Sequence, residues 1–120
     1  MKPSIDSTQF GSIIIEGHKY THDILIGLDG QVKKRKKKLS KEIYGTSHTI
    51  SLAEAKYIFE EGSNELIIAA GQFGRVHLSP EAEEYFKQKK CLVRILQNRK
   101  AIKAWNEAEG SIIGLFHLTC

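Results

Sequence analysis

Three apolar runs, Leu66–Ala70, Cys91–Leu96 and Ile112–Leu118, recur along the second half of this 120-residue chain, with a helix signal in each interval. Ser79-Pro80-Glu81 opens the first interval's helix. Ser79 caps free amides, Pro80 lacks only an amide that the first turn would orphan, and Glu81 faces the positive end of the dipole. Ala82, Tyr85 and Phe86 mark its inner face. Asn98 is placed to cap the next helix, whose apolar stripe is Ala101, Ile102, Trp105 and Ala108 and which Gly110 ends. Strand, helix, strand, helix, strand predicts a parallel βαβαβ unit with right-handed crossovers, and hence the α/β class. Strands covered on both faces account for the continuous apolar runs.

The first half reads as β structure followed by a helix. Ser12–Ile15 is a short β-branched run, and Glu16-Gly17-His18-Lys19 a turn. Tyr20–Leu28 alternates, so one strand would put Tyr20, His22, Ile24, Ile26 and Leu28 on a common face. Asp29-Gly30 is a two-residue hairpin signal that returns Gln31–Lys36 beside it. Residues 37–50 are irregular. Ser51 and Glu54 then form a capping box, Leu52, Ala55, Ile58 and Phe59 a helical stripe, and Gly62 suits the position just past that helix.

No linker or repeat divides the chain, so a single domain over residues 1–120 is expected. Its 41% apolar and 27% charged residues are ordinary for a globular protein. No apolar stretch approaches the ~20 residues of a membrane span. The first residues lack the apolar core of a secretory signal, and Cys91 and Cys120 make no disulfide framework. A reduced, cytoplasmic setting is therefore expected.

Chemistry has few places to sit. In open α/β sheets ligands favour the carboxyl ends of the strands, and Gly71-Gln72-Phe73-Gly74 directly follows the first apolar run. Its glycines could bring amides to an anion, and Gln72 both donates and accepts; a tight turn displaying or packing Phe73 is the competing reading. Thr46-Ser47-His48 places two hydroxyls beside an imidazole, with Asp23 as a loose candidate acid. Local turn hydrogen bonds account for the same residues. His117 and Cys120 lie three apart, on opposite faces of a strand, and His18, His22 and His77 have no ligand spacing. No metal and no cofactor is expected.

Residues 33–41 hold seven of the 18 basic residues and no acidic one. The rest of the chain carries eleven basic against fourteen acidic residues, so the charge of +4 is a local feature. Lys33, Lys34, Arg35, Lys36, Lys37 and Lys38 are candidates for binding a polyanion or nucleic acid. Cations on both faces of a strand would keep either face out of a core, so the run is expected at an edge or on an arm. A solvated edge that resists aggregation is the favoured reading.

Five segments in order, Tyr20-Thr21-His22-Asp23-Ile24, Gly45-Thr46-Ser47-His48, Gly71-Gln72-Phe73-Gly74, Leu78-Ser79-Pro80-Glu81 and Phe116-His117-Leu118-Thr119-Cys120, resemble the Mth nine-three-eight domain family of small proteins of unknown biochemical function. The resemblance implies a three-layer α/β fold with a mixed central sheet. It also implies relatives in an adipogenesis-associated cytoplasmic protein and a mitochondrial complex I assembly factor, and hence a role in protein binding or assembly. Many relatives read Gly-Thr-Gly where this chain has Ala69-Ala70-Gly71; the lost hydroxyl and glycine weaken an anion cradle there. The expectation is a non-catalytic module with protein partners, a second copy included, and no membrane partner. The alternative is a small-molecule site or enzyme built from Thr46, Ser47, His48, Gly71, Gln72, Phe73, Gly74 and His117.

Overall fold

A computed structural model of the chain describes residues 2–119. In chain order its elements are β1 (Ile5–Gln9), β2 (Ser12–Ile15), β3 (His18–Tyr20), β4 (Ile24–Ile26), β5 (Val32–Lys34), α1 (Lys38–Tyr44), β6 (Thr49–Ile50), α2 (Leu52–Ile58), β7 (Glu65–Ala70), β8 (His77–Leu78), α3 (Pro80–Gln88), β9 (Leu92–Leu96), α4 (Asn98–Glu107) and β10 (Ile112–His117). The central sheet has five strands in the order β5-β4-β10-β7-β9. β10, β7 and β9 run parallel, and β4 pairs antiparallel with both β10 and β5, so the sheet is mixed.

Two apolar clusters cover it. On one face, Ala101, Ala104 and Trp105 of α4 pack with Ile67, Ala69, Ile112 and Phe116, and with Ile5, Ile13 and Ile15 of the three-stranded β1-β2-β3 sheet. On the other, Ala55 and Ile58 of α2 and Ala82 and Phe86 of α3 meet Leu66, Ile68, Ile113 and Leu115. Adjacent residues of β7 and β10 thus serve opposite clusters, which is why both strands are apolar at every central position. The result is the three-layer α/β arrangement.

Several local expectations need correction. The run Tyr20–Leu28 is two strands: β3 ends at Tyr20 and β4 begins at Ile24, where the chain leaves the small sheet for the large one. His22 falls in this break and is exposed. The hairpin at Asp29-Gly30 exists, but Ile26 faces Val32, so its loop spans residues 27–31. The α4 cap is Gln97, whose side chain accepts from the Arg99 amide, and Asn98 turns inward. α2 and α4 end in the extended residues Phe59 and Ala108; Gly62 (φ 93°) and Gly110 (φ 104°) instead shape the following turns into strands.

Candidate functional site

The β4–β10 pairing sets Phe116 opposite Ile24 and so brings Asp23, one residue before β4, beside His117 at the end of β10. Asp23 is buried and fully engaged. Its Oδ1 accepts the Leu118 amide at 2.9 Å; its Oδ2 accepts His117 Nδ1 at 2.7 Å and Arg35 Nη1 at 2.9 Å. A carboxylate only accepts, so His117 Nδ1 is the donor in that bond, and Nε2 faces Thr119 Oγ1 at 3.3 Å.

Arg35 directly follows the outer strand β5, and its amide donates to the Asp23 carbonyl at 3.0 Å. Its side chain is wholly buried. Nε and Nη2 fork onto the two Glu54 carboxylate oxygens at 2.6 and 3.1 Å, and Nη2 also reaches the Ser47 carbonyl at 2.7 Å. Glu54 accepts Ser40 Oγ at 2.5 Å, and that hydroxyl accepts the Ser51 amide at 2.9 Å. Ser51 Oγ does cap α2 by accepting the Glu54 amide at 3.1 Å, but Glu54 does not reach back to complete a capping box. Its side chain belongs to Arg35. Among the described residues, no buried side-chain nitrogen or oxygen lacks a partner.

Burial pushes the Asp23 carboxyl upward, but the hydrogen bond and charge of His117, the Leu118 amide and the Lys37 ammonium outweigh it and hold the group at about 2. His48 stands edge-on to His117, with ring centroids 5.4 Å apart. Burial, together with the charges of His117, Arg75 and Arg35, lowers its pKa. Both carboxylates of the cluster are thus occupied, and His117 is sealed from solvent.

The remaining candidates divide between this cluster and the turn after β7. Thr46 Oγ1 accepts the His48 amide at 3.1 Å, a local turn bond. In residues 71–74, the Gly71 amide donates to Asn98 Oδ1 at 2.8 Å, that of Gln72 to the Thr119 carbonyl at 2.9 Å, and that of Gly74 to the Gly71 carbonyl at 3.2 Å. Three of the turn's four amides are therefore taken, which leaves little of an anion cradle. Asn98 Nδ2 in turn donates to the His117 carbonyl at 2.8 Å, linking the turn to the buried cluster. Phe73 projects from the tip, 74% exposed.

Gln72 and Phe73 line a crevice of about 400 Å3 with Thr8, Gln97, Asn98 and Arg99. It lies between the carboxyl ends of β7 and β9, whose following helices α3 and α4 pack on opposite faces. That is a topological switch point. Cys120 lies outside the described residues. Among the described residues no three His, Cys, Asp or Glu side chains are grouped to hold one metal ion. No described helix is long and apolar enough to cross a membrane.

The basic run does lie at an edge, but Arg35 has to be withdrawn from its polyanion-binding set. Its guanidinium is neutralised in the interior, while Lys33, Lys34, Lys36 and Lys38 are exposed. Lys37, half-buried, points its ammonium at Asp23 from 3.6 Å. Reasoning from sequence assigned Arg35, Glu54 and Asn98 other roles, on a basic edge, in a capping box and at a helix cap, and did not single out Ser40. One signal was present: a lone arginine among lysines, the side chain whose rigid fork suits a buried carboxylate.

A family model described as "Protein of unknown function (DUF498/DUF598)" matches residues 5–115. The chain is similar to the conserved hypothetical protein PH1505 from Pyrococcus horikoshii OT3, with 28% identity over 98% of this chain and 99% of that one, at a TM-score of 0.88. It is similar to MT938 at 30% identity over 99% and 100% of the two chains, with a TM-score of 0.82. A Bordetella pertussis protein described as a Mth938-like domain shares the fold at 12% identity, covering 97% and 85%, with a TM-score of 0.63.

Proposed function

The chain belongs to the DUF498/DUF598 family of proteins of unknown function, and from that premise we propose that it acts, as one domain, in binding or assembling other proteins. The observation that carries this reading is Phe73: a phenyl ring 74% exposed on a turn whose backbone is pinned by three internal amide bonds. A large apolar group held in water by a rigid turn adds nothing to its own core. It also has little backbone freedom to lose on docking, and buried aromatic anchors dominate interface energetics.

A second ring supports it. Phe10, 59% exposed, sits on the β1–β2 turn, where the Gly11 amide donates to the Leu118 carbonyl at 2.7 Å. The Gln72 amide takes the next carbonyl, Thr119, so the two phenylalanine turns are fastened to neighbouring residues. Enclosure of His117 and Asp23 favours a non-catalytic role, and the free, buried Cys91 thiol suits a cytoplasmic one. A second copy of the chain is among the partners the test identifies.

A benzophenone amino acid placed at position 73 is expected to crosslink, in cells, to one protein of defined mass. The same probe at exposed position 100 is expected to give no such adduct. Excess unlabelled protein should compete the adduct away, whereas the Phe73→Ser protein should not. Indistinguishable adducts from both positions would remove Phe73 as an anchor.

The switch-point crevice favours one other reading, a small-molecule site lined by Gln72, Gln97 and Arg99. Native mass spectrometry of the purified protein separates the two. A stoichiometric surplus mass, lost in the Gln72→Ala/Arg99→Ala protein, supports the crevice; a bare chain counts against it.

A further inference from the structure

With Arg35 withdrawn, the lysines that surround it sort by direction. Lys33 lies toward Tyr57 and Glu60, on a small cavity beside β4 and α2. Lys34, Lys36, Lys37, Lys38 and Lys41 line a separate groove of about 600 Å3, with His22 at its rim. Two elements build it. Lys34 comes from the outer strand β5, and Lys38 and Lys41, three residues apart, share a face of α1. Arg35 and Asp23 form the floor; the Arg35 side chain is wholly buried, so it presents only main chain to the groove.

The charges there are unevenly matched. The Asp23 carboxylate is held by Arg35, His117 and the Leu118 amide, with Lys37 3.6 Å away. Lys36 lies over the Tyr57 ring, its ammonium 4.6 Å from the centroid. Among the described residues, Lys34, Lys38 and Lys41 pair with no carboxylate. Three lysines without a carboxylate partner thus line one groove, on long stems that adapt to an anion as mobile point charges.

We propose that the groove between β5 and α1 binds a small ligand bearing two or three linked phosphates, held by Lys34, Lys38 and Lys41. Size and shape decide against nucleic acid. Duplex DNA presents a charge about every 1.7 Å along an extended track, whereas these lysines line one groove of about 600 Å3. Single strands are held by aromatic stacking as well as charge, and the groove carries no aromatic ring other than His22. Its volume lies within the range of roughly 300–1,000 Å3 usual for small-ligand sites. The proposal shares no residue with the Phe73 turn, so either can fail alone.

The test is a titration of the full chain with inorganic tripolyphosphate at constant ionic strength, followed by calorimetry and amide chemical shifts. Saturable one-to-one binding is expected, with the largest shifts at His22 and residues 34–41. Lys34→Gln/Lys38→Gln/Lys41→Gln, all at exposed positions, should weaken binding by about tenfold or more. Lys87→Gln/Lys100→Gln/Lys103→Gln makes the same change in charge on α3 and α4 and should stay within about twofold of the parent. Thermal melts of both triple variants confirm that each is folded. Absence of saturation, or equal weakening in the two triple variants, overturns the site. So does a single-stranded oligonucleotide that binds more tightly than tripolyphosphate and loses that affinity in the first variant, because the partner is then nucleic acid.

Discussion

Arg35 and its six lysine neighbours have the same charge and opposite fates. The guanidinium offers five donors in a plane, enough to serve Glu54 through two of them, Asp23 through a third and the Ser47 carbonyl besides. An ammonium on a flexible stem keeps its hydration more readily and stays outside. The buried carboxylates gain most from the arrangement, and Asp23, held low chiefly by His117, adds a pH dependence. Its folded pKa of about 2 lies below the ordinary 3.8. The stability it contributes is therefore complete above pH ~4 and is lost as the pH falls through about 2. Asp23→Asn keeps the shape but gives up a charged acceptor that serves Arg35, His117 and the Leu118 amide. It is expected to cost about 3 kcal/mol at neutral pH, as breaking a buried ion pair does, and to flatten the acid limb. Urea midpoints measured from pH 7 to pH 2 check this; parallel limbs for the two proteins would contradict it.

At the scale of elements, β10 and α4 come close at Gly114. A β-carbon there would lie 2.6 Å from a Phe116 ring carbon and 2.9 Å from one of Trp105, two rings packed edge to face with centroids 5.7 Å apart. Neither ring has room to retreat, since both are buried and the indole nitrogen donates to the Pro3 carbonyl at 2.8 Å. Gly114→Ala should therefore destabilise the protein by about 1–3 kcal/mol, with a lowered melting temperature and perturbed Trp105 fluorescence. An unchanged melt would mean that the interface is looser than its distances imply. The β7–α3–β9–α4–β10 unit was legible in the sequence because its strands are mostly apolar, Arg94 in the middle of β9 apart, and Ser79-Pro80 marks a helix start. α1 was not. Its inward residue is Ser40, chosen for Glu54 rather than for a core, and its other positions include Lys38, Lys41 and Glu42. β1 was hidden likewise by the polar stretch Asp6-Ser7-Thr8-Gln9, and the break before β4 by an alternation that runs straight through it.

At the scale of the whole molecule, the candidate residues were easier to list than to assemble. Asp23, Arg35, Glu54 and His117 are spread over most of the chain, and spacing along a sequence carries no mark of such meetings. Reasoning from residue types joined Asp23 loosely to His48, whereas the fold joins it to His117, because Asp23 immediately precedes the strand that pairs with β10. The turn at residues 71–74 was legible, being bounded by two glycines after an apolar strand. Its attachment to Asn98 was not.

The position of β10 has a consequence for how the protein comes into being. β4 and β5 pair with each other, and so do β7 and β9, but among the described strands only β10 touches both pairs. On a ribosome, which releases residues in order, the hairpin and the crossover unit emerge as separate pieces, each with an apolar edge waiting for the same late strand. The sheet becomes continuous in one step, when residues 112–117 leave the exit tunnel. Until then it is held in two halves, and a chaperone would have both to shield.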